Sequence, residues 1–396
     1  MKKSLLTLTL GGLGIGITEF VMMGLLPDIA KDLHISIPQA GHLISAYALG
    51  VVIGAPLLVA IAGSYPPKKI LLALMMMFTA FNAFSAFAPD YTTMFIARLL
   101  AGLPHGAFFG VGSVVASRLA DKGKEAQSIS MMFAGLTVAN IIGVPLGTYI
   151  GHTYSWRFTF VIIVVVGLTT LLSLKFWMPA LPATKDRDLK KELSFFKLPE
   201  AWLIIAMIAI GTGGLFSWFS YIAPLLTDVS GFKAVDITYI LVLAGLGMFV
   251  GNFLGGIMAD KFSPAKASMV LLAAMSLALF IMHYVAANQP LTLIMTFVAG
   301  AVAFAVAAPI QMLMINTAKG SEMIAGAVSQ ASFNIGNALG AFFGGLPLVY
   351  GFDYTSPAYV GAAMALVGAF FAFWLIKSTQ NQEVEIDAKV VATSFH

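Results

Sequence analysis

The 396 residues are 59% apolar and only 10% charged, against roughly a quarter charged in soluble domains. That composition sets aside a soluble enzyme and points to a polytopic membrane protein. The net charge of +4 is spread over short loops, so no nucleic-acid partner is implied, and without cysteine there is no disulfide or thiolate metal site. Neither a metal nor a cofactor is expected.

Met1-Lys2-Lys3 precedes an apolar run from Leu5 to Leu26. The run is too long for a signal peptide, carries Glu19 and ends in Pro27-Asp28 without small-residue cleavage chemistry, so it is expected to stay as the first span. About 20 residues at 1.5 Å rise cover the roughly 30 Å hydrocarbon core. Glu19, the only ionisable residue of the run, lies about 14 residues in, roughly 21 Å from the N-terminal edge. A carboxylate there costs several kcal/mol unless it is paired, hydrated or protonated, and the competing reading is a neutral helix-helix hydrogen bond. Helical spacing puts Gly12, Ile15, Gly16, Met22, Met23 and Leu26 beside it.

Apolar runs against polar or Pro/Gly breaks give twelve spans, near 5–27, 40–61, 69–88, 92–115, 127–149, 157–178, 201–225, 235–257, 265–286, 291–313, 322–348 and 356–377. With the N-terminus inside, cytoplasmic segments hold 18 of the 22 Lys and Arg, and the outer ones only Lys31, Arg157 and Lys233. The positive-inside rule therefore predicts both termini in the cytoplasm. The polar stretch 179–200 splits the spans six and six as a cytoplasmic linker between bundles 1–178 and 201–377. Residues 378–396 read as a disordered cytoplasmic tail.

Sliding the second half onto the first by 197 residues pairs Gly14 with Gly211, Gly16 with Gly213, Pro27 with Pro224, Gly50 with Gly247 and Gly54 with Gly251. The same shift pairs Asn140 with Asn337 and Gly147 with Gly344. The chain is a tandem repeat. Each unit has an even number of spans, so the two point the same way and a substrate path lies between them.

Arg98 is the second intramembrane charge, about 10 Å below the outer edge of its span, the depth reckoned for Glu19, so the two could pair. A structural clamp is the plainer role for Arg98. His105 lies on the same face about two turns deeper, as a core histidine or a proton carrier. Gly102 and Gly106 add a small-xxx-small packing surface. Gly143 and Pro145 of the fifth span mark a hinge or packing seam. The loop after the eighth span places Gly256, Asp260 and Lys261 at a helix end, as a solvated charge cluster or a conformational latch. Candidates to face a central cavity are Phe20, Met23, Tyr47, Phe108, Phe109, Asn140, Phe216, Trp218, Tyr221, Gln311 and Asn334, each of which alone is more ordinarily packing.

The strings TEF-x-x-x-GLLP at Thr18 to Pro27, ISAYALGVVIGAP at Ile44 to Pro56, LPHGAFFGVGS at Leu103 to Ser113, SWRFTF at Ser155 to Phe160 and FNIGNALGA at Phe333 to Ala341 resemble the major facilitator superfamily. Within it they are similar to the drug:proton antiporter branch, in particular the arabinose efflux permease (AraJ-like) group, over nearly the whole chain. The resemblance implies an all-α fold of twelve transmembrane helices in two six-helix parallel pseudo-repeats, alternating access and proton-driven export. Arg98 with Gly102 matches the family's fourth-span motif, Gly143 with Pro145 its antiporter motif, and Gly256 to Lys261 its loop motif with Lys for Arg. The first-half copy departs, with Gly63 where Asp260 would align.

The expectation is an inner-membrane, monomeric exporter of small organic molecules, sugars or amphipathic drugs, coupled to protons through Glu19, Arg98 and His105. A proton-independent facilitator, an uptake permease and a lipid flippase are the alternatives. No H-E-x-x-H or paired Asp appears in the spans, so no enzyme is expected.

Overall fold

The computed structural model describes residues 3–62, 65–121, 125–182, 194–317 and 322–394. Gly63, the middle of the linker at 183–193 and the side chain of Asp260 lie outside the described residues. Those described are helical, with no strand among them.

The first six crossings are α1 Lys3–Asp32, α2 Ile37–Ala62, α3 Pro67–Ala86, α4 Tyr91–Leu119, α5 and α6 Trp156–Trp177. Helix α5 runs Glu125–Val138, makes a π turn at Ala139–Gly143 and resumes at Val144–Thr153. The second six begin with α7, assembled from Pro199–Ala206, Gly213–Phe219 and Ile222–Pro224 with π turns at Met207–Gly211 and Leu225–Val229. They continue with α8 Asp236–Lys261, α9 Pro264–Val285, α10 (Gln289–Ala305 and Ala307–Thr317), α11 Glu322–Val349 and α12 Ser356–Ser394. Eleven of the twelve are long and apolar enough to cross a membrane. The other, α11, has the length, but Ser329, Ser332, Asn334 and Asn337 are buried along it, so its polar groups face protein and not lipid.

Two boundaries differ from the sequence reading. Pro27 does not end α1, which continues to Asp32 and is closed by Leu33 N donating to Ile29 O. A proline inside a span removes one backbone bond, which neighbouring helices can compensate. The tail does not break at Ser378 either. Helix α12 continues to Ser394, because the Gln, Glu, Ala and Lys of this stretch are good helix formers and no Gly or Pro interrupts them. In α5, Pro145 offers no N–H to the helix, and the π turn just before it absorbs the mismatch, with Val144 N bonding to Ala139 O.

Helices α2 and α4 meet along a glycine seam. A Cβ on Gly50 or Gly54 would strike the carbonyl oxygens of Leu99 and Leu103, one on Gly102 the carbonyl of Tyr47, and one on Gly106 the Cβ of Ala55. The second half repeats this between α8 and α10, where Gly247 and Gly251 face the carbonyls of Phe297 and Ala301 and Gly300 that of Ala244. Without side chains the backbones approach closely, which suits helices with no hydrophobic driving force between them in lipid. The contacts confirm the repeat.

An even number of crossings returns the chain to the face it started from. The named contacts between halves lie toward the other face. Ser45 Oγ of α2 donates to Ala338 O of α11 at 3.0 Å, Tyr221 fits against Gly41 and Gly345 while donating to Ala341 O at 2.7 Å, and Gly245 of α8 rests on the Asn140 backbone. Nearer the terminal face, a Cβ on Gly256 or Gly326 would meet nothing within 4 Å. On that side Lys68 Nζ donates to the carbonyls of Lys175 and Met178 at 2.9 and 2.5 Å, capping α6.

Candidate functional site

The site grows from one turn of α1 and the middle of α4. Thr18 and Glu19 are buried there, at 0% and 6% exposure, because the glycines around them let neighbours close in. A Cβ on Gly16 would meet Ala139 at 2.6 Å, and one on Gly12 the carbonyl of Met132 at 2.7 Å. Arg98 is wholly buried. Its Nη1 donates to Thr18 Oγ1 at 3.1 Å, Thr18 donates to Asn82 Oδ1 at 2.6 Å, and Asn82 Nδ2 donates to Phe78 O at 2.8 Å. This relay fixes the guanidinium by one edge. Its flat face lies 4.3 Å from the Tyr47 ring centroid, a cation-π contact strengthened by the absence of water. Nε and Nη2 of Arg98 keep no hydrogen-bond partner.

The expected pair of Glu19 and Arg98 closes no ion pair within 4.0 Å; both are buried, and Thr18, one residue before Glu19, takes the Arg98 hydrogen bond. Asn337 reaches Glu19 from α11, across the boundary between halves, without closing a hydrogen bond of good geometry. His105 joins through Tyr47, whose hydroxyl is 3.0 Å from His105 Nδ1. Its ring packs on Phe109, which stacks on Phe133 at 4.9 Å.

Of the residues expected to face the centre, Phe20 and Phe216 come together, stacked 6.3 Å apart, with Phe219 and Phe304 against Phe20 at 6.4 Å each. Met23 is buried nearby on α1. Phe108 lies against Gly11. Tyr47 and Phe109 belong to the polar group just described. The others are dispersed. Asn140 Nδ2 donates to Leu136 O in its own helix; Trp218 is wholly buried with its indole N–H unpartnered; Tyr221 plugs the far end. Gln311 accepts from Ser329 at 2.9 Å, and Asn334 donates to Gln330 O with its Oδ1 left over. Among the motif glycines, Gly102 and Gly106 serve the α2 seam, and a Cβ on Gly143 would meet Ile17 at 2.5 Å. Lys261 is exposed, and Gly255, beside the expected Gly256, makes the tight contact with the Ala305 carbonyl.

Thr18, Asn82 and Asn337 are absent from the sequence-based candidates. Asn82 carries no signal in the sequence, whereas Thr18 opens the TEF-x-x-x-GLLP string and Asn337 lies in FNIGNALGA and is the repeat mate of Asn140.

The match to the model of the Major Facilitator Superfamily covers residues 8–327 and 236–393. The chain belongs to that superfamily. It is 39% identical to AraJ of Escherichia coli (strain K12), covering 99% of both chains, and 40% identical to the inner membrane transport protein YdhP of the same strain, covering 93% of this chain and 95% of YdhP. A chloramphenicol resistance protein of Streptomyces lividans is 30% identical, covering 94% of this chain and 96% of its own. A crystal structure of a D-xylose-proton symporter shares the fold with a TM-score of 0.74 at 17% identity, covering 93% of this chain and 96% of that one. The superfamily consists of membrane transporters and not enzymes, so this chain is a multi-pass membrane transporter of small molecules.

Proposed function

We propose that the protein exports small organic molecules, sugars or amphipathic drugs, from the cytoplasm by proton antiport, with Glu19 carrying the proton. The observation that carries the reading is Glu19, the one buried carboxylate among the described residues, on the same side of the first half as a buried guanidinium that is held elsewhere, by Thr18 and Tyr47. A permanent ion pair would quench such a carboxylate; a neighbouring cation with two unpartnered nitrogens, Nε and Nη2, can accept it when ionised and release it when protonated. His105 is the reserve carrier, at the end of the Tyr47 hydroxyl. The four-ring cluster around Phe20 offers apolar faces to cargo, and the Streptomyces lividans relative, named for chloramphenicol resistance, supports an amphipathic drug.

In this reading both termini, the linker 179–200 and the tail 378–396 are cytoplasmic, the bundles 1–178 and 201–377 rock about the site as a monomer in the cell inner membrane, and the sealed end faces outward. The present conformation is then the inward-facing one. Tags near Lys185 and Lys389 should resist external protease in intact cells while one near Asp353 does not; cleavage at Lys185 from outside overturns the orientation.

The deciding experiment is Glu19→Gln in proteoliposomes. A glutamine keeps the shape and cannot titrate. The variant should lose accumulation driven by a pH gradient and retain exchange of substrate down its own gradient, because a site equally occupied by protons in both states shifts nothing. Accumulation equal to wild type refutes Glu19 as the carrier and moves the test to His105.

A further inference from the structure

Asn337 is 1% exposed, and neither its Nδ2 nor its Oδ1 has a hydrogen-bond partner. A buried carboxamide with both ends unpaired costs several kcal/mol, so its retention asks for a partner that comes and goes. Across the boundary between halves, the group its free amide can turn to is the buried Glu19 carboxylate of α1. We infer that Asn337 is a positioning residue that reads the charge of Glu19 and locks the empty, ionised carrier in the present conformation, an inference that rests on Glu19 being the proton carrier.

Three features make the contact deliberate. Helix α11 cannot turn Asn337 elsewhere, since a Cβ on Gly336 would meet the Ala209 carbonyl at 3.0 Å, one on Gly340 would meet Phe216 at 2.8 Å, and Ala338 O accepts from Ser45 of the other half. Asn140, the repeat mate, satisfies its own amide on Leu136 O, so the repeat itself does not demand a free carboxamide. One turn earlier, Asn334 Oδ1 is also unpartnered. Around the carboxylate, the charged and titratable groups are Arg98 of α4 and Tyr47 of α2, with His105 one contact further on; from α5, Leu136 and Ala139 beside Gly16 add none, nor does Phe216 from α7.

The chemistry follows from the donor inventory. Ionised Glu19 only accepts, so the Asn337 amide turns its N–H to it; protonated Glu19 donates its O–H to Oδ1 of the reversed amide. The first bond is charge-assisted and roughly twice as strong as the second. Because Asn337 and Glu19 sit on different halves, parting the sealed end breaks whichever bond exists, and the ionised form resists parting more. An empty carrier that has delivered its proton is thereby held until cargo displaces Asn337 from the carboxylate. Without the lock, the empty ionised carrier turns outward alone, takes up a proton there and brings it in with no cargo exported, so the gradient drains and accumulation falls.

The test compares Asn337→Ala, Asn337→Leu and Asn337→Ser with Glu19→Gln in proteoliposomes, using a fluorescent cationic dye that the wild type accumulates. Asn337→Ala and Asn337→Leu should keep dye exchange within about twofold while steady-state accumulation falls about tenfold, as loss of roughly 1.4 kcal/mol of coupling gives. The acid-to-alkaline change in exchange rate should flatten in both. Asn337→Ser, with a hydroxyl that both donates and accepts, should recover part of each. Should Glu19→Gln lose accumulation while Asn337→Ala and Asn337→Leu keep it and the wild-type pH profile, the lock is refuted and the carrier reading survives. Should Glu19→Gln keep accumulation, the carrier reading fails first. If Asn337→Ala and Asn337→Leu lose exchange as well and Asn337→Ser rescues neither accumulation nor pH profile, Asn337 is a packing residue and the inference is overturned.

Discussion

The two halves share a skeleton and differ in what they bury. Gly50 and Gly54 of α2 press on α4 as Gly247 and Gly251 of α8 press on α10, carbonyl for carbonyl. Matching the seams residue by residue sets Leu99 on Phe297 and Gly102 on Gly300, hence Arg98 on Thr296 and Tyr47 on Ala244. In α1 and α7, where Gly16 matches Gly213, Glu19 falls on Phe216. Every charged or hydroxylated member of the first half's polar group thus has a smaller or apolar counterpart. The glycines that bring backbones together are kept twice, whereas the buried charges are kept once, in the first half. A symmetric frame thus encloses an asymmetric interior, with the buried charges in the first half and the unpaired Asn337 carboxamide in the second.

The largest effect expected from this comparison is common to both halves. Gly54→Leu and Gly251→Leu each drive a side chain into backbone atoms, of Leu103 and of Ala301, which cannot move aside as a side-chain end would. Both should reduce the monodisperse, detergent-extracted protein to under about a tenth of wild type, since overpacking against backbone exceeds the usual 1–3 kcal/mol. If one seam tolerates leucine and the other does not, the frame is not symmetric in the way the contacts indicate.

Next in size is a contrast between matched positions. Arg98→Ala should cut both driven accumulation and downhill exchange by more than about tenfold, because it removes a buried, hydrogen-bonded charge and leaves Thr18 and Glu19 without it. Thr296→Val, at the matched place, removes a buried hydroxyl that has no partner and should leave flux within about twofold. Comparable losses in the two variants would show that this depth is sensitive to any change, and that charge is not what separates the halves.

Much of the frame was legible in the chain because bilayer thickness and backbone satisfaction leave few choices. The twelve spans, the repeat offset and the shared depth of Glu19 and Arg98 follow from rise per residue and from which residues lipid rejects. The site was legible only to the level of depth. Depth brings Arg98 near Glu19 but not the rotation of each helix, and it is rotation that hands the Arg98 hydrogen bond to Thr18 and the Glu19 contact to Asn337. Polar residues such as Asn82 and Thr18 fit a span by bonding their own backbone just as well, so nothing in the one-dimensional pattern tells a relay from a satisfied side chain. The π turn before Pro145 and the helical tail were hidden for a related reason: both depend on local geometry that hydropathy does not record.

The smallest effect, and the most discriminating, concerns Tyr47, which touches two members of the charged group at once. Its ring underlies the Arg98 guanidinium and its hydroxyl meets His105 Nδ1. Tyr47→Phe keeps the ring and leaves a buried imidazole nitrogen unpaired, so flux should fall about two- to fivefold, as loss of one neutral hydrogen bond of about 1 kcal/mol predicts. Tyr47→Ala loses the ring as well, and a desolvated cation-π contact of about 2 kcal/mol adds a further factor of at least about ten. Initial rates of downhill exchange, with protein amount matched, separate the two contributions. If Tyr47→Phe falls as far as Tyr47→Ala, the link to His105 dominates and the histidine belongs in the proton path. If Tyr47→Phe is silent while Tyr47→Ala is impaired, the tyrosine serves as a floor for Arg98, and the polar group of the first half ends at Thr18, Asn82 and Glu19.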